Sequence, residues 1–569
     1  MPDDATPTTS PPDAPERKSA ASLVALGILA SRLAGLLRER AIAFFFGVGA
    51  HADVMQFAFR APNLLQNLLG EGTVSAAFIP IYSRMIDEGR TREAGRFAGA
   101  IFGLLLAAAA GVSLLGVVAA EPIVTVLAYG WTDDAALVAR GELPINRFAL
   151  AVGVVRIMFP MAGLLVLAAW ALGVLNSHRR FFVPYVAPVL WNVAIISGLF
   201  AGAYALVGPP WNLAPDALAD PTLNRLVFAA CFGALAGGLL QFLVQLTIVV
   251  RVLPHFRFSL STRVEGVRAS LRAFGPVVAG RGVAQISSYI DTFLAALLAA
   301  GALSALRYGL IFYMLPISLF GMSVAASELP ELSRLTDERV QPFLARLRRS
   351  LRQILFLTVP TAVGYLAFGF LIVGALLRTG SFDVNSNWLV YFVLGSYTLG
   401  LVATTMSRLL QNAFYALRDT KTPALIAVLR VGVSAALAVP LMFWLDTVPL
   451  ARVVDVPLAG QPLFLGALGL GLGATGGAWV ELWRLYAGLR TRVTDFTLPW
   501  GPALRMSGLS VLALAPGAFV WWLLPAAPVL VQALLVVGAY AAAYLALAHL
   551  AGFPELRAWT GRLFDRLQS

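Results

Sequence analysis

Cysteine, histidine, lysine and charge of either sign are all scarce in this 569-residue chain. The one cysteine, Cys231, sits inside an apolar run, so no disulfide can form within the chain and no cysteine-based metal site can be built. Four histidines, His51, His178, His255 and His549, are scattered at spacings that offer no zinc chemistry. Only Lys18 and Lys421 among the 42 basic residues are lysine. Charged residues make up 13% of the chain, about half the share of a soluble protein, so most of the chain cannot face water. No G-x-x-x-x-G-K-S/T run occurs, which excludes a phosphate-binding loop and an ATP engine in this chain. Work done by the protein must therefore draw on ion gradients, membrane potential or substrate flow.

What is abundant is apolar surface: 59% of residues are hydrophobic and the mean hydropathy is +0.78. A membrane-spanning helix needs about 20 apolar residues. Fourteen segments reach that length, at 22–46, 54–82, 95–120, 150–176, 183–207, 226–250, 273–300, 304–329, 352–377, 387–414, 422–445, 463–487, 504–524 and 528–552. The basic residues test this count. With the N-terminus inside, the inner loops and termini hold 28 Arg and Lys, and the outer loops hold five: Arg140, Arg147, Arg225, Arg378 and Arg452. A missed helix would invert the asymmetry partway along, and it does not invert, so N-in and C-in follow from the positive-inside rule. The net charge of +12 is explained the same way, without nucleic acid as a partner. Residues 1–20, rich in Pro, Asp and Thr, read as a disordered cytoplasmic tail, followed by an uncleaved first helix. The loops leave no room for a soluble catalytic domain.

A weak internal echo points to two halves. Ala76-x-x-x-Pro80-x-x-Ser83-Arg84 returns as Ala326-x-x-x-Pro330-x-x-Ser333-Arg334, and Gly49-Ala50 returns as Gly301-Ala302. The offset spans an even number of segments, so the repeat is parallel. The expected division is an N-lobe at 21–253, a C-lobe at 254–490, and two further helices with the C-terminus at 491–569.

Nine basic residues lie inside the apolar segments: Arg32, Arg38, Arg40, Arg60, Arg156, Arg281, Arg307, Arg408 and Arg430. Arg32, Arg38, Arg60 and Arg281 are too deep to snorkel, and such a charge faces a wet cavity or a partner. Guanidinium groups with few carboxylates make an anion site, and their forked donors match phosphate oxygens in bidentate geometry. Internal pairing, Arg38 with Glu39 or Arg60 with Asp53, is the structural alternative. Pro62, Asn63, Gly70, Glu71 and Gly72 interrupt the second segment and read as a bend or hinge, since freed backbone groups are tolerated only against protein or water. Asp291, mid-segment, is a candidate cation or proton site. Gly471-Leu-Gly473-Ala-Thr-Gly476 matches a dinucleotide fingerprint by pattern alone. Inside a spanning segment it reads as small residues for close helix packing.

The run Ser31-Arg32-Leu33-Ala34-Gly35-Leu36-Leu37-Arg38-Glu39, then Phe46-Gly47-x-Gly49-x-x-x-Asp53, Phe59-Arg60-x-Pro62-Asn63-Leu64-Leu65, Gly70-Glu71-Gly72 and Ala77-Phe78-Ile79-Pro80, resembles the MurJ/MviN family of lipid II flippases. Gln285-Ile286-x-x-x-x-Asp291, Leu329-Pro330-x-Leu332-Ser333 and Phe414-Tyr415-Ala416-x-x-Asp419-Thr420-Lys421-Thr422-Pro423 add to it. The resemblance implies an all-α polytopic membrane protein of the multidrug/oligosaccharidyl-lipid/polysaccharide exporter superfamily. Its fourteen transmembrane helices would form two six-helix lobes around a cationic central cavity, plus two C-terminal helices that form a groove for the polyprenyl tail. It implies that Arg32, Arg38 and Asp53 belong to the substrate site with Arg60, and that Gly70, Glu71 and Gly72 form the family's hinge and acidic turn. Two family arginines are replaced here, by Gln66 and Ile311, and Arg307 or Arg281 could stand in for them. Family members have been linked to membrane potential, and one to a sodium site, for which Asp291 is the matching acid.

The expected function is therefore translocation of lipid II across the bacterial inner membrane by alternating access, by a monomer that needs no cofactor and draws on membrane potential, Na+ or H+. A flippase for another polyprenyl-linked unit, O-antigen or exopolysaccharide, is the runner-up. A cationic-drug antiporter would be repelled by the arginines. A membrane enzyme on lipid-linked sugars would need acids or histidines clustered at one membrane face, and none are seen.

Overall fold

The computed structural model describes residues 14–209, 218–335, 340–454, 462–493 and 495–556. These residues are helical almost throughout, with one isolated β-bridge between Pro449 and Phe464. The chain divides into two compact units. One takes residues up to Ile42 and Val54–Ile290; the other takes Ala43–Asp53 and everything from Asp291 on.

In the first unit, α1 (Ala14–Phe46) is followed by α2 (Ala50–Leu69), α3 (Glu71–Ala77) and α4 (Ile79–Asp87). Then come α5 (Thr91–Val118), α6 (Ala120–Leu127), α7 (Asp134–Ala139), α8 (Arg147–Ser177), α9 (Phe182–Val207), α10 (Asp220–Val252) and α11 (Val267–Ala296). The disordered tail expected over residues 1–20 is helical from Ala14 onward. Pro15 suits the first turn and the alanines that follow favour helix; residues 1–13 lie outside the described residues. Central to this unit is α8, with 72% of its most apolar window buried. Its N-terminus is capped by Asn146, whose side chain accepts from the Ala149 amide at 2.9 Å. Trp170 of α8 donates its indole N–H to the Ala98 carbonyl at 3.2 Å, joining α8 to α5 inside a core of Val74, Phe78, Tyr82 and Phe97. Helices α9 and α10 meet through glycine: a Cβ on Gly198 would fall 2.7 Å from the Ala229 carbonyl oxygen, so only glycine permits that approach.

The second unit continues with α12 (Ala302–Pro316), a π-helical stretch Ile317–Met322, and α13 (Ser323–Ser333). It is completed by α14 (Val340–Leu377), α15 (Val384–Thr398), α16 (Leu401–Ala416), α17 (Lys421–Asp446), α18 (Gly466–Arg490), α19 (Trp500–Leu523) and α20 (Val529–Leu550). The fingerprint-like glycines lie in α18 and serve packing. A Cβ on Gly473 would be 2.5 Å from the Ala438 Cβ of α17, and one on Gly471 would be 1.9 Å from the Ser396 hydroxyl of α15.

Each of the fourteen expected segments falls on helix. Among the described residues nine helices are long and apolar enough to cross a membrane, or ten if α15 and α16, bent by 41°, make one span. The helices α1, α2, α11 and α18, on which the other four expected segments fall, are not among these spans. The segment expected as one span at 54–82 is three helices, because the backbone turns at Gly70 and again at Phe78. Large apolar side chains on α17, α19 and α20, such as Val428, Trp444, Leu504 and Leu534, point away from the protein, as they must where lipid is the solvent.

Candidate substrate-binding site

The intramembrane arginines of the first unit fall into different environments. Arg32 on α1 is exposed and makes no ion pair among the described residues. Arg38, a turn and a half further on, is enclosed. Its Nη2 donates to Glu39 Oε1 at 2.5 Å and its Nη1 to Asn192 Oδ1 at 3.1 Å. Both faces of the guanidinium are covered, its Cζ lying 5.0 Å from the rings of Phe59 and Trp191. Gln56 completes the group by donating to Glu39 Oε2 at 3.0 Å. Arg38 thus joins α1, α2 and α9. The alternative of internal pairing, Arg38 with Glu39, is what this structure shows for the residue. A charge in an apolar span takes the nearest carboxylate, and Glu39 adjoins it in sequence.

Arg60 lies on α2 with its Cζ 5.2 Å from the ring of Tyr289, whose hydroxyl donates to the Arg60 carbonyl at 2.9 Å. The side chains of Arg281 and Glu71 lie outside the described residues. At the expected hinge, α2 ends at Leu69 and α3 starts at Glu71, so the break falls on Gly70, not on Pro62, which stays inside α2 with Asn63. A Cβ on Gly70 would sit 2.1 Å from the Gln66 carbonyl oxygen, a backbone atom that cannot swing aside. Gly72 is within α3.

Asp53 belongs to the second unit and is a helix cap. Its Oδ2 accepts from the Gly301 amide at 2.7 Å and its Oδ1 from the Ser304 amide at 2.8 Å, at the start of α12, and the residue is 1% exposed. The carboxylate satisfies orphan N–H groups and complements the positive end of the helix. Arg307, half-buried on α12, and Asp291, exposed on α11, both lie within electrostatic reach of Tyr397. Among the described residues no three His, Cys, Asp or Glu side chains stand close enough together to hold a metal ion.

Two features escaped the sequence reading. Glu481 on α18, 1% exposed, accepts from Arg430 of α17 at 2.7 Å and from Gln411 of α16 at 2.8 Å. Beside it Tyr313 shares a 3.0 Å hydrogen bond with Thr404. A glutamate inside an apolar run is the signal that could have pointed to it. The second is an apolar cavity of about 240 Å³ between α14 and α20, lined by Phe356, Pro360, Gly364, Phe368, Val537 and Tyr540. Pro360 has no N–H, so the Phe356 carbonyl one turn earlier loses its helical donor. The Tyr544 hydroxyl of α20 replaces it at 3.0 Å. The resemblance placed a tail groove at the last two helices; this apolar groove lies between α14 and α20.

A family profile described as "Lipid II flippase MurJ" matches residues 42–545. The lipid II flippase of Burkholderia cenocepacia is 32% identical over 469 residues, covering 82% of this chain and 82% of that one. Among solved structures, a lipid II flippase in an inward closed conformation superposes with a TM-score of 0.67 at 22% identity, covering 93% of this chain and 99% of the other. An inward-facing multidrug transporter of the MATE family superposes at 0.56 and 15% identity, covering 84% of this chain and 98% of its own, a likeness of fold.

Proposed function

The chain belongs to the MurJ family of lipid II flippases, and on that premise we propose that it carries lipid II, the undecaprenyl-diphosphate-linked peptidoglycan precursor, from the cytoplasmic to the outer leaflet by alternating access. It is a transporter and a multi-pass protein of the bacterial inner membrane. The observation that carries the site assignment is Arg32: an intramembrane guanidinium, exposed and without an acidic partner among the described residues. Such a group is stable in a membrane only where water or an anion reaches it. A diphosphate supplies oxygens in the geometry its fork demands.

Arg38 is a positioning residue in this reading. Held by Glu39, Asn192, Phe59 and Trp191, it fixes α1 against α2 and α9 so that Arg32 is presented on a rigid element. Arg60, flanked by Tyr289, adds a second cation in the same unit, and Arg307 is the candidate in the other. The polyprenyl tail fits the apolar groove between α14 and α20. With no phosphate-binding loop in the sequence, membrane potential or an ion drives the cycle, and Asp291 is the acid on which a coupling cation or proton would act.

The test is complementation of a flippase-depleted strain, with lipid II scored as protected inside or accessible outside. Arg32→Ala should lower accessible lipid II about tenfold, the loss expected from one charged hydrogen-bonded contact, with unchanged protein in the membrane. Wild-type accessibility with Arg32→Ala would remove the residue from the substrate path. Failure of the unaltered chain to complement would remove lipid II as the substrate.

A further inference from the structure

The second unit holds another cavity, of about 610 Å³, at the ends of α14, α19 and α20 that the charge asymmetry places outside. That is inside the range of roughly 300–1,000 Å³ typical of small-ligand sites. Phe370, Leu371, Trp521, Trp522 and Pro525 wall it with apolar surface, and Arg378 and Gln532 supply its polar groups. Gln532 is committed to structure: its amide donates to the Leu524 carbonyl at 2.5 Å and holds the turn between α19 and α20. Arg378 is not committed. It is half-buried and makes no ion pair or side-chain hydrogen bond among the described residues. Its nearest acid in sequence, Asp383, caps α15 by accepting from the Ser386 amide at 2.8 Å.

An arginine on the outer side opposes the topological preference for basic residues inside, so its position needs a local reason. The cavity differs from the apolar groove between α14 and α20. Phe368 lines that groove, while Trp521, with its ring 6.2 Å from that of Phe368, lines this one. Trp522, 75% exposed, and the neighbouring Phe519, Leu523 and Leu530 give the cavity a lipid-facing rim at the depth where tryptophan concentrates in membrane proteins.

We infer that this cavity binds the headgroup of an anionic glycerophospholipid from the outer leaflet, with its phosphodiester on Arg378 and its acyl chains along the Trp522 rim. One cation matches the single negative charge of a phosphodiester; a diphosphate would call for a second. The site is thus a structural-lipid site separate from substrate transport.

The test uses the purified full chain in detergent and native mass spectrometry with phosphatidylglycerol as the probe. Bound phosphatidylglycerol should fall about tenfold in Arg378→Gln, as for the loss of one charge-assisted contact, and stay unchanged in Arg452→Gln, another outer arginine. Ala518→Trp, which fills the cavity without altering the arginine, should lower it as well and serves if Arg378→Gln fails to fold. Diacylglycerol should not bind, and neither inorganic phosphate nor undecaprenyl diphosphate should displace the lipid. Equal binding by wild type and both cavity variants would overturn the assignment. So would equal binding of diacylglycerol, which would make the site merely apolar. Displacement by inorganic phosphate would make it a free-anion site, and displacement by undecaprenyl diphosphate would make it part of the substrate path.

Discussion

The two units treat the same place in their repeat differently. The offset of 250 residues that relates Ala76–Arg84 to Ala326–Arg334 also sets Asn67–Gly72 against Ile317–Met322. In the first unit the helix stops at Leu69 and restarts at Glu71, with Gly70 between. In the second, continuity survives through one widened π turn. Both follow a proline that removes a helical donor, Pro62 in one and Pro316 in the other. In the second unit the carbonyl that Pro316 frees, that of Phe312, is taken by the Tyr365 hydroxyl at 3.1 Å, so the distortion is braced from α14. The first unit has a Gly-Glu-Gly sequence at the break and places its bend where no side chain can clash. A π turn braced from a neighbouring helix resists further bending, whereas a break at glycine is the kind of place that can act as a pivot. Sequence repetition therefore does not carry structural equivalence.

The largest effect should come from removing the pivot. Gly70→Ala places a methyl 2.1 Å from a backbone oxygen, so the break must open or rearrange. Overpacking of that kind costs about 1–3 kcal/mol. Accessible lipid II in complemented cells should drop to the level of depleted cells. Gly321→Ala is the matched control, because the nearest atom to its added methyl is on the Thr405 side chain, at 3.1 Å, and activity should be retained. If both variants behave alike, the distinction between pivot and brace is wrong.

A second contrast, read in stability and not in transport, is between the two intramembrane arginine–glutamate pairs. Arg38 and Glu39 are neighbours in sequence and keep 16% and 10% side-chain exposure, whereas Glu481 is 1% exposed beside Arg430. Arg430→Leu strands a buried carboxylate, a change worth about 3–5 kcal/mol when a buried pair is broken. It should lower the melting temperature of the purified protein well below that of Glu39→Gln. Arg430→Leu with Glu481→Leu should recover much of the loss. A double variant as unstable as the single one would show that packing, not charge, holds α16, α17 and α18 together.

The smallest effect concerns the segment just beyond the pivot. Tyr82 of α4 shares a 2.9 Å hydrogen bond with His178 at the end of α8. Burial, and then the nearby Arg180, lower the pKa of His178 from its ordinary 6.5. A histidine that binds protons less readily when folded contributes stability that is complete above pH 6.5 and is lost as pH falls toward the folded value. Thermal unfolding of the wild type should therefore shift downward between pH 7.5 and 5.5 by more than that of His178→Gln. Parallel shifts would show that His178 does not carry the pH dependence.

Much of the architecture could be read without coordinates. Each of the fourteen apolar segments lies on helix, because desolvating about 20 residues leaves backbone groups no partners but their own. The Arg32–Glu39 run and the Gly70 break were legible for the same reason: charge and glycine in an apolar run have few uses. The pairing was not. Asp53 reaches the amides of residues 301 and 304, about 250 positions along the chain. Arg38 finds Asn192, and Arg430 finds Glu481, at separations that carry no sequence signal.

Composition and spacing by themselves determined the solvent and the helices, since both depend on transfer free energies summed along the chain; specific motifs, not composition, carried the resemblance to the family. Only the tertiary structure decided which arginine stays open, which acid becomes a cap and where an apolar groove runs. Those outcomes depend on how each helix is rotated, and a shift of one residue turns a side chain by 100°, toward a different neighbour.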